Sequence, residues 1–387
     1  LSKKEAIARL QLREATAVIV LDKLKSLVSK RPKGIGVELT PEQINIVQVL
    51  KKGQAYKLQS FHSLEVPEGI YEDGQILDAP AMAELIQTCL AENKITVKNA
   101  ASAVSGREAV TRLIPVPAEL DDNELREMVL NQEAGLYLPF PREEADVDYQ
   151  KLDLMVDDDG IEKVRVLLVA TRKEVTDNYI NTFEQAGLRL DVLEIGSFSL
   201  IRTIREELRQ FALGEAVAIA NIEFEGTEIA IVVDGVPQFS RTVPIGTQQI
   251  QNALCQAMNL PPSRNPEILQ GMTIPLTPVD SVQTGMTGSN PGAAAMVRVL
   301  GELADELRRS IDFYVNQGEN QEVAQLLLAG SGAGIGQLDE FLTQRLSVPT
   351  SQVDPIEALS LEAEMEIPPA QRPGLGIALG LGLRYVM

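Results

Sequence analysis

From Gly34 onward, short apolar runs alternate with polar turns, and their period sorts them into strands and helices. Residues 35–39 and 44–50 are apolar stretches of strand length separated by Thr40-Pro41-Glu42-Gln43, a pattern that predicts a hairpin. Lys51-Lys52-Gly53 turns the chain into a third strand over residues 56–66, a segment that also holds His62. Residues 80–92 then carry Met82, Leu85, Ile86, Cys89 and Leu90 on one helical face. The same plan returns about 180 residues later. Residues 216–222, 227–233 and 237–243 predict three strands, joined through residues 223–226 and the hairpin dipeptide Asp234-Gly235; residues 246–258 predict a helix. Two copies of a strand–strand–strand–helix unit predict a duplicated α/β fold with a cleft between its halves.

Between the copies the pattern changes. Strands at 109–116, 146–155 and 163–171 combine with helices at 121–137, carrying Leu125, Met128, Val129 and Gln132 on one face, and at 173–186, with Val175, Tyr179, Ile180 and Phe183 inward. Two helices on one small sheet predict an α+β subdomain inserted over residues 108–186. Its acidic tip, Asp157-Asp158-Asp159-Gly160, lacks the spacing and terminal glutamate of a calcium loop and is a solvated hairpin end. Residues 261–295, rich in Pro, Gly, Ser and Thr, predict an elaborated, mobile loop before a long helix at 297–315. The domains expected are therefore a basic leader, partly disordered, at 1–33, a first half at 34–107 and 187–213, the insert, and a second half at 214–387.

Late in the chain, Ala324 and the run 326–329 end abruptly in Gly330, Ser331, Gly332 and Gly334, followed by Ile335, Leu338, Phe341 and Leu342 at helical spacing. A glycine-rich strand-to-helix turn lets a ligand approach the backbone and presents N–H groups at a positive helix end. A tight packing turn demands glycine equally, and the pattern leaves both readings open.

Composition narrows the chemistry. In 387 residues there is one histidine and no G-x-x-x-x-G-K-S/T, and no G-x-G-x-x-G follows a strand, so histidine-rich zinc sites, P-loops and dinucleotide folds lose their signatures. Cys89 and Cys255 are far apart and are read as reduced core thiols. A net charge of −20, no tryptophan and 4% aromatic residues argue against nucleic acid. Residues 22–33 are the exception, with five basic residues against one acid and Leu21, Leu24, Leu27 and Val28 on one helical side. Such a segment either lies on anionic lipid, at about 1 kcal/mol per lysine, or is a solvated leader. No apolar run is long enough to span a membrane, and residues 1–20 do not resemble a signal peptide.

Several stretches together carry a family resemblance: Glu133-Ala134, Tyr137-Leu138-Pro139-Phe140-Pro141, Asp148-Tyr149-Gln150, Val243-Pro244-Ile245-Gly246, Arg309-Ser310-Ile311-Asp312-Phe313-Tyr314, and the ending from Ala378 to Arg384. Across residues 34–384 the chain resembles the PilM family of actin-like type IV pilus assembly proteins, relatives of the cell-division protein FtsA. The resemblance implies an actin-like (ASKHA) duplicated fold, two domains around a nucleotide cleft, with the insert as the extra subdomain that FtsA and PilM proteins share. It also implies which residues would hold ATP or ADP with Mg. The first phosphate hairpin, D-I-G-S-S-S-V-K in the family, maps onto residues 38–45, so that Glu38, Thr40 and Asn45 replace Asp, Gly and Lys. The second, D-I-G, maps onto Asn221, Ile222 and Glu223, with Thr227 retained. On the adenosine side Gly330, Ser331, Gly332 and Gly334 persist, as do Glu306 and Arg309 on the long helix.

These departures predict a degenerate site. Asn221 cannot act as an ionised carboxylate, Glu223 puts an acid beside the phosphates, and Asn45 removes a compensating cation. No nucleotide, or only weakly bound ATP/ADP with Mg, is expected, and no productive hydrolysis. The resemblance instead implies an adaptor on the cytoplasmic face of the inner membrane, binding the cytoplasmic N-terminal peptide of PilN. Pilus assembly ATPases, the platform protein and further copies of the chain are additional partners it allows. The alternative is an active actin-like ATPase whose nucleotide state controls pilus assembly; a sugar kinase would need an aspartate base and an intact phosphate cradle.

Overall fold

In a computed structural model, which describes residues 33–387 apart from positions 54, 158, 266, 276–290 and 318–320, strand β1 (Gly34–Leu39) is buried along its whole length. It pairs antiparallel with β2 (Gln43–Lys52), and β2 with β3 (Ala55–Glu65), placing Glu38 opposite Asn45. A short hairpin, β4 (Tyr71–Glu72) and β5 (Gln75–Ile76), leads into helix α1 (Ala79–Glu92), where Asp78 caps the first turn by accepting from the Ala81 N–H at 3.0 Å. β6 (Asn99–Val104) then lies parallel to β1 on its free side. With a strand on either side and both faces covered, β1 reads as continuous rather than alternating hydrophobicity.

Residues 108–181 are the described part of one compact unit; residues 33–107 and 182–387 make the other. In the smaller unit, β7 (Ala109–Pro117) is followed by α2 (Asp122–Glu127), a π turn over Met128–Glu133 and α3 (Ala134–Tyr137). β8 (Ala145–Val156) and β9 (Glu162–Arg172) complete an antiparallel sheet in the order β7-β9-β8. The sequence predicts an unbroken helix with Gln132 facing inward; instead Gln132 is exposed and Ala134 is fully buried. The wider winding of the π turn moves the inner face by one residue, so Leu125, Val129 and Ala134 close together on the sheet residues Ile114, Val166 and Leu168. Helix α4 (Lys173–Gln185) buries Val175 and Tyr179 but leaves Ile180, expected inward, 40% exposed.

The larger unit resumes with β10 (Arg189–Ile195), parallel to β6, then α5 (Gly196–Thr203) and α6 (Arg205–Leu208). The second repeat comprises β11 (Ala216–Ile222), β12 (Thr227–Val233) and β13 (Val236–Val243), followed by α7 (Thr247–Met258), α8 (Glu267–Gln270) and α9 (Pro291–Val315). β14 (Val323–Ala329) runs parallel to β11, and after α10 (Leu338–Leu346), β15 (Thr350–Gln352) runs parallel to β14. The two sheets share one plan. The orders β3-β2-β1-β6-β10 and β13-β12-β11-β14-β15 each join three antiparallel strands to two parallel ones, the duplication that the hydrophobic pattern predicts.

Two segments depart from expectation. Residues 261–295 are not one mobile loop: Leu269 of α8 and Ile274 are buried in the second core, Thr273 bridges to Gly336, and α9 already begins at Pro291. Residues 276–290 lie outside the described residues, as do 1–32, where the basic leader is expected. Nor do the last residues complete the second half. After α11 (Pro355–Ala358), β16 (Glu362–Ala363) joins the edge of the first sheet beside β3, and α12 (Gly376–Leu383) packs on β1, β2 and α5. The sequence of α12, GIALGLGL, is apolar on every side, so it requires burial all round. Its glycines allow backbone-to-backbone approach: a Cβ on Gly36 would lie 2.6 Å from the Gly382 nitrogen, and one on Gly380 would lie 2.1 Å from the Ser199 carbonyl oxygen. Among the described residues, no helix is long and apolar enough to cross a membrane.

Gly380→Ala is therefore expected to cost at least the ~1–3 kcal/mol of an overpacked core, read as a lower urea midpoint. Gly135→Ala, with no atom within 4 Å of the added methyl, serves as the control and leaves the midpoint unchanged or slightly raised. Equal midpoints for the two variants would contradict the close packing of α12.

Candidate functional site

Two hairpin turns, one from each repeat, line a single cavity in the larger unit. β1 and β2 supply Glu38, Thr40 and Pro41; β11 and β12 supply Asn221, Glu223 and Phe224. The cavity measures about 100 Å³, small beside the roughly 300–1,000 Å³ of usual ligand pockets. Topology places the turns together: β1 and β11 hold the same central position in their sheets, so their C-terminal ends present equivalent turns.

In the first turn the side chains serve the protein itself. Thr40 Oγ1 donates to the Gln43 carbonyl at 2.9 Å and accepts from the Gln43 N–H at 3.0 Å, closing the turn. Asn45 Nδ2 donates to Glu38 Oε2 at 3.0 Å across the β1–β2 ladder. Burial pushes the Glu38 carboxyl up to about 7, against the lowering effect of that hydrogen bond. Glu42, also buried, is pushed up to about 8 by desolvation, only partly offset by the nearby Arg264 guanidinium.

The second turn is likewise committed. The Glu223 N–H donates to the Gly226 carbonyl at 3.0 Å, while the carbonyls of Glu223 and Phe224 accept from the first N–H groups of α7, at Thr247 (2.9 Å) and Gln248 (3.0 Å). A helix N-terminus that might hold an anion is thus capped by the turn's own backbone. Thr227 Oγ1 donates to the Ile245 carbonyl at 2.7 Å. The Glu223 carboxyl lies well above the ordinary range, first through desolvation, then through repulsion from Glu38 and Glu42, with the Asn221 side chain pulling the other way. Glu228 is raised too, by burial, although Ser197 and Ser240 hydrogen-bond to it.

The other expected residues lie elsewhere. Glu306 and Arg309 pair with each other on α9, and Glu306 meets Arg241 of β13 at 3.4 Å; neither lines the cavity. The glycine turn after β14 packs against β11. A Cβ on Gly330, where φ is +85°, would lie 2.4 Å from the Ile222 carbonyl oxygen, and one on Gly332 would lie 2.4 Å from the Ile222 side chain. Gly334 meets the Ala370 carbonyl in the same way, the Gly330 N–H donates to Pro373, and Ser331 Oγ is buried without a hydrogen-bond partner. Packing therefore accounts for these glycines. Among the described residues, no group of His, Cys, Asp or Glu could hold a metal ion.

The sequence reading did not single out Arg107, Glu225, Glu228 or Arg264. Arg107 and Glu225 line the cavity with Glu228, and Arg264 stands over Phe224 with its guanidinium 5.3 Å from the ring centre. None carries a local signal: Arg264 is a lone base in a proline-rich loop, and only the tertiary fold brings it to the turn.

Comparison with known proteins adds a family. Residues 36–268 and 296–386 match the family described as type IV pilus assembly protein PilM. A solved PilM–PilN type IV pilus biogenesis complex is similar at 25% identity with a TM-score of 0.76, over 92% of this chain and 99% of that one. Ethanolamine utilization protein EutJ from Carboxydothermus hydrogenoformans is more distant, at 12% identity and TM-score 0.48 over 98% and 99% of the two chains. So is ADP-bound MreB5 of Spiroplasma citri, at 11% and 0.47 over 86% and 95%. The architecture is the mixed α/β actin-like fold.

The carboxyls of the cavity predict a stability that falls with pH. Glu38, Glu42 and Glu223 each hold a proton more tightly in the folded chain than at the ordinary 4.5, so their contribution is complete below that pH and is lost as pH rises, through about 7 for Glu38 and about 8 for Glu42. Each adds a slope of up to about 1.4 kcal/mol per pH unit across its own window. Urea midpoints are expected to drop between pH 5 and pH 8.5, and Glu223→Gln to flatten that drop. The same slope in the variant and the parent would mean that Glu223 does not share in this titration.

Proposed function

The chain belongs to the type IV pilus assembly protein PilM family, and from that membership we propose that it is an adaptor of the pilus assembly platform that works without turning over nucleotide. The observation that carries this reading is the state of the two turns. The backbone amides and side chains that would cradle phosphates are engaged with the protein itself, and buried carboxyls occupy the gap between them. A Mg-nucleotide does not fit these residues. Asn221 offers a neutral amide where the family's aspartate would stand, Glu223 adds a carboxyl beside the phosphate position, and the space is small.

A solved relative, a complex of PilM with PilN, supports PilN as the partner. The chain binds the N-terminal peptide of PilN and is held through it at the cytoplasmic face of the inner membrane. An extended peptide suits such a role, since sheet edges offer main-chain hydrogen bonds and alternate pockets for side chains.

A thermal-shift titration separates the adaptor from an active ATPase. Saturating PilN peptide is expected to raise the Tm: a ligand at 100 times its Kd stabilises by about 2.7 kcal/mol. Mg-ATP at millimolar concentration is expected to leave the Tm in place, and Asn221→Asp with Glu223→Gly to introduce a nucleotide-dependent shift. A clear shift of the unmodified protein with Mg-ATP and none with peptide would reverse the assignment.

A further inference from the structure

Two arginines beside the turns cross from one half to the other. Arg264, from the segment after α7, donates through Nη2 to the Pro41 carbonyl of the first turn at 2.6 Å while its guanidinium lies over the Phe224 ring of the second. Arg107, which follows β6 in the first half, pairs with Asp73 of the β4–β5 hairpin and reaches the Glu225 carbonyl of the second turn at 3.5 Å. The Asp73 N–H donates to the Glu225 carboxylate at 2.9 Å, completing that side. The tip of the second turn, Phe224-Glu225-Gly226, is thereby gripped from both sides.

We propose that Arg107 and Arg264 are a pair of intramolecular straps that hold the two halves closed over the cavity.

Three physical arguments support the straps. A planar guanidinium can hydrogen-bond in its plane and stack on its face at once, which is what Arg264 does between a carbonyl and an aromatic ring. Each arginine also bonds one half while it touches the turn of the other. Glu38 and Glu42 of the first turn and Glu223 and Glu228 of the second are all acids, and Glu223 is repelled by the first two. Glu72 and Asp73 add further negative charge from the β4–β5 hairpin, acting on Glu225. Arg107 and Arg264 are the cations set against these groups, with Arg264 acting on Glu42 and Arg107 on Glu225. The two arginines thus oppose the like charge of the facing turns. This inference stands apart from the adaptor reading, since peptide binding can fail while the straps hold.

Pulsed electron paramagnetic resonance tests it in the full chain. Spin labels placed through Glu84→Cys on α1 and Gln256→Cys on α7, both exposed positions, report the separation of the halves. The parent is expected to give one distance population; adding Arg107→Ala and Arg264→Ala should introduce a second, longer one. Arg264→Lys, which keeps the charge but loses the stacked plane, should fall between. A folded double variant with an unchanged distribution overturns the proposal. If the double variant does not fold, the single variants Arg107→Ala and Arg264→Ala decide: a longer population in either supports the straps, and the parent's distribution in both overturns them.

Discussion

The backbone of the last helix lies directly on the backbone of the first strand, and the placement of everything around the cavity follows from that contact. Gly36 on β1 faces Gly382 and Ala378 on α12 with no room for a methyl group, and Gly380 faces Ser199 on α5 in the same way. Any side chain at these positions would push α12 away from the sheet. α5 in turn buries Leu200 and Ile201 against Val217, Ile219 and Leu327 of the second sheet. One continuous stack, β1 to α12 to α5 to β11, thus fixes the ends of both central strands, and with them the two turns. Arg384, just past α12, and Arg202 on α5 close the stack by sharing the Glu194 carboxylate, at 3.0 and 2.6 Å.

Glu194 and Glu223 show how partners decide what burial does to an acid. Burial raises the proton affinity of both. At Glu194 two guanidinium groups and the Ser199 hydroxyl outweigh that effect and hold the carboxyl below its usual range. At Glu223 the neighbours are Glu38 and Glu42, which add to the effect of burial, and only the Asn221 amide opposes them. The first acid is therefore a structural anion whose loss would remove the carboxylate that two half-buried guanidinium groups share. The second, set among acids, holds its proton more tightly than an exposed carboxylate would.

Strand and helix periods in the sequence carried the duplicated plan, because both sheets bury apolar faces that alternate or run continuously as their neighbours dictate. The misreadings have local physical causes. The π turn at Met128–Glu133 shifts a helical face by one residue without changing the residue types, so periodicity reads through it. Leu269 and Ile274 sit among prolines and glycines that dominate the composition of their segment, although both are fully buried. The return of α12 to the first half, expected instead in the second, is encoded in glycines whose partners on β1 and α5 lie far away in sequence. Arg107 and Arg264 leave no trace in the sequence, since their role exists only where two distant turns meet.

The glycines after β14 bear on how a candidate ligand site should be read. A residue kept from an ancestral ligand site counts as evidence for the ligand only if nothing else requires it. Gly330 and Gly332 would be required by Ile222 alone, and Thr227 by the Ile245 carbonyl, so their persistence is explained by folding. The positions that differ from the family pattern, Glu38, Thr40, Asn45, Asn221 and Glu223, are those where a nucleotide and its metal would supply the constraint. Retention at the packing positions therefore says nothing about nucleotide, and the altered positions alone carry the proposal that none is turned over.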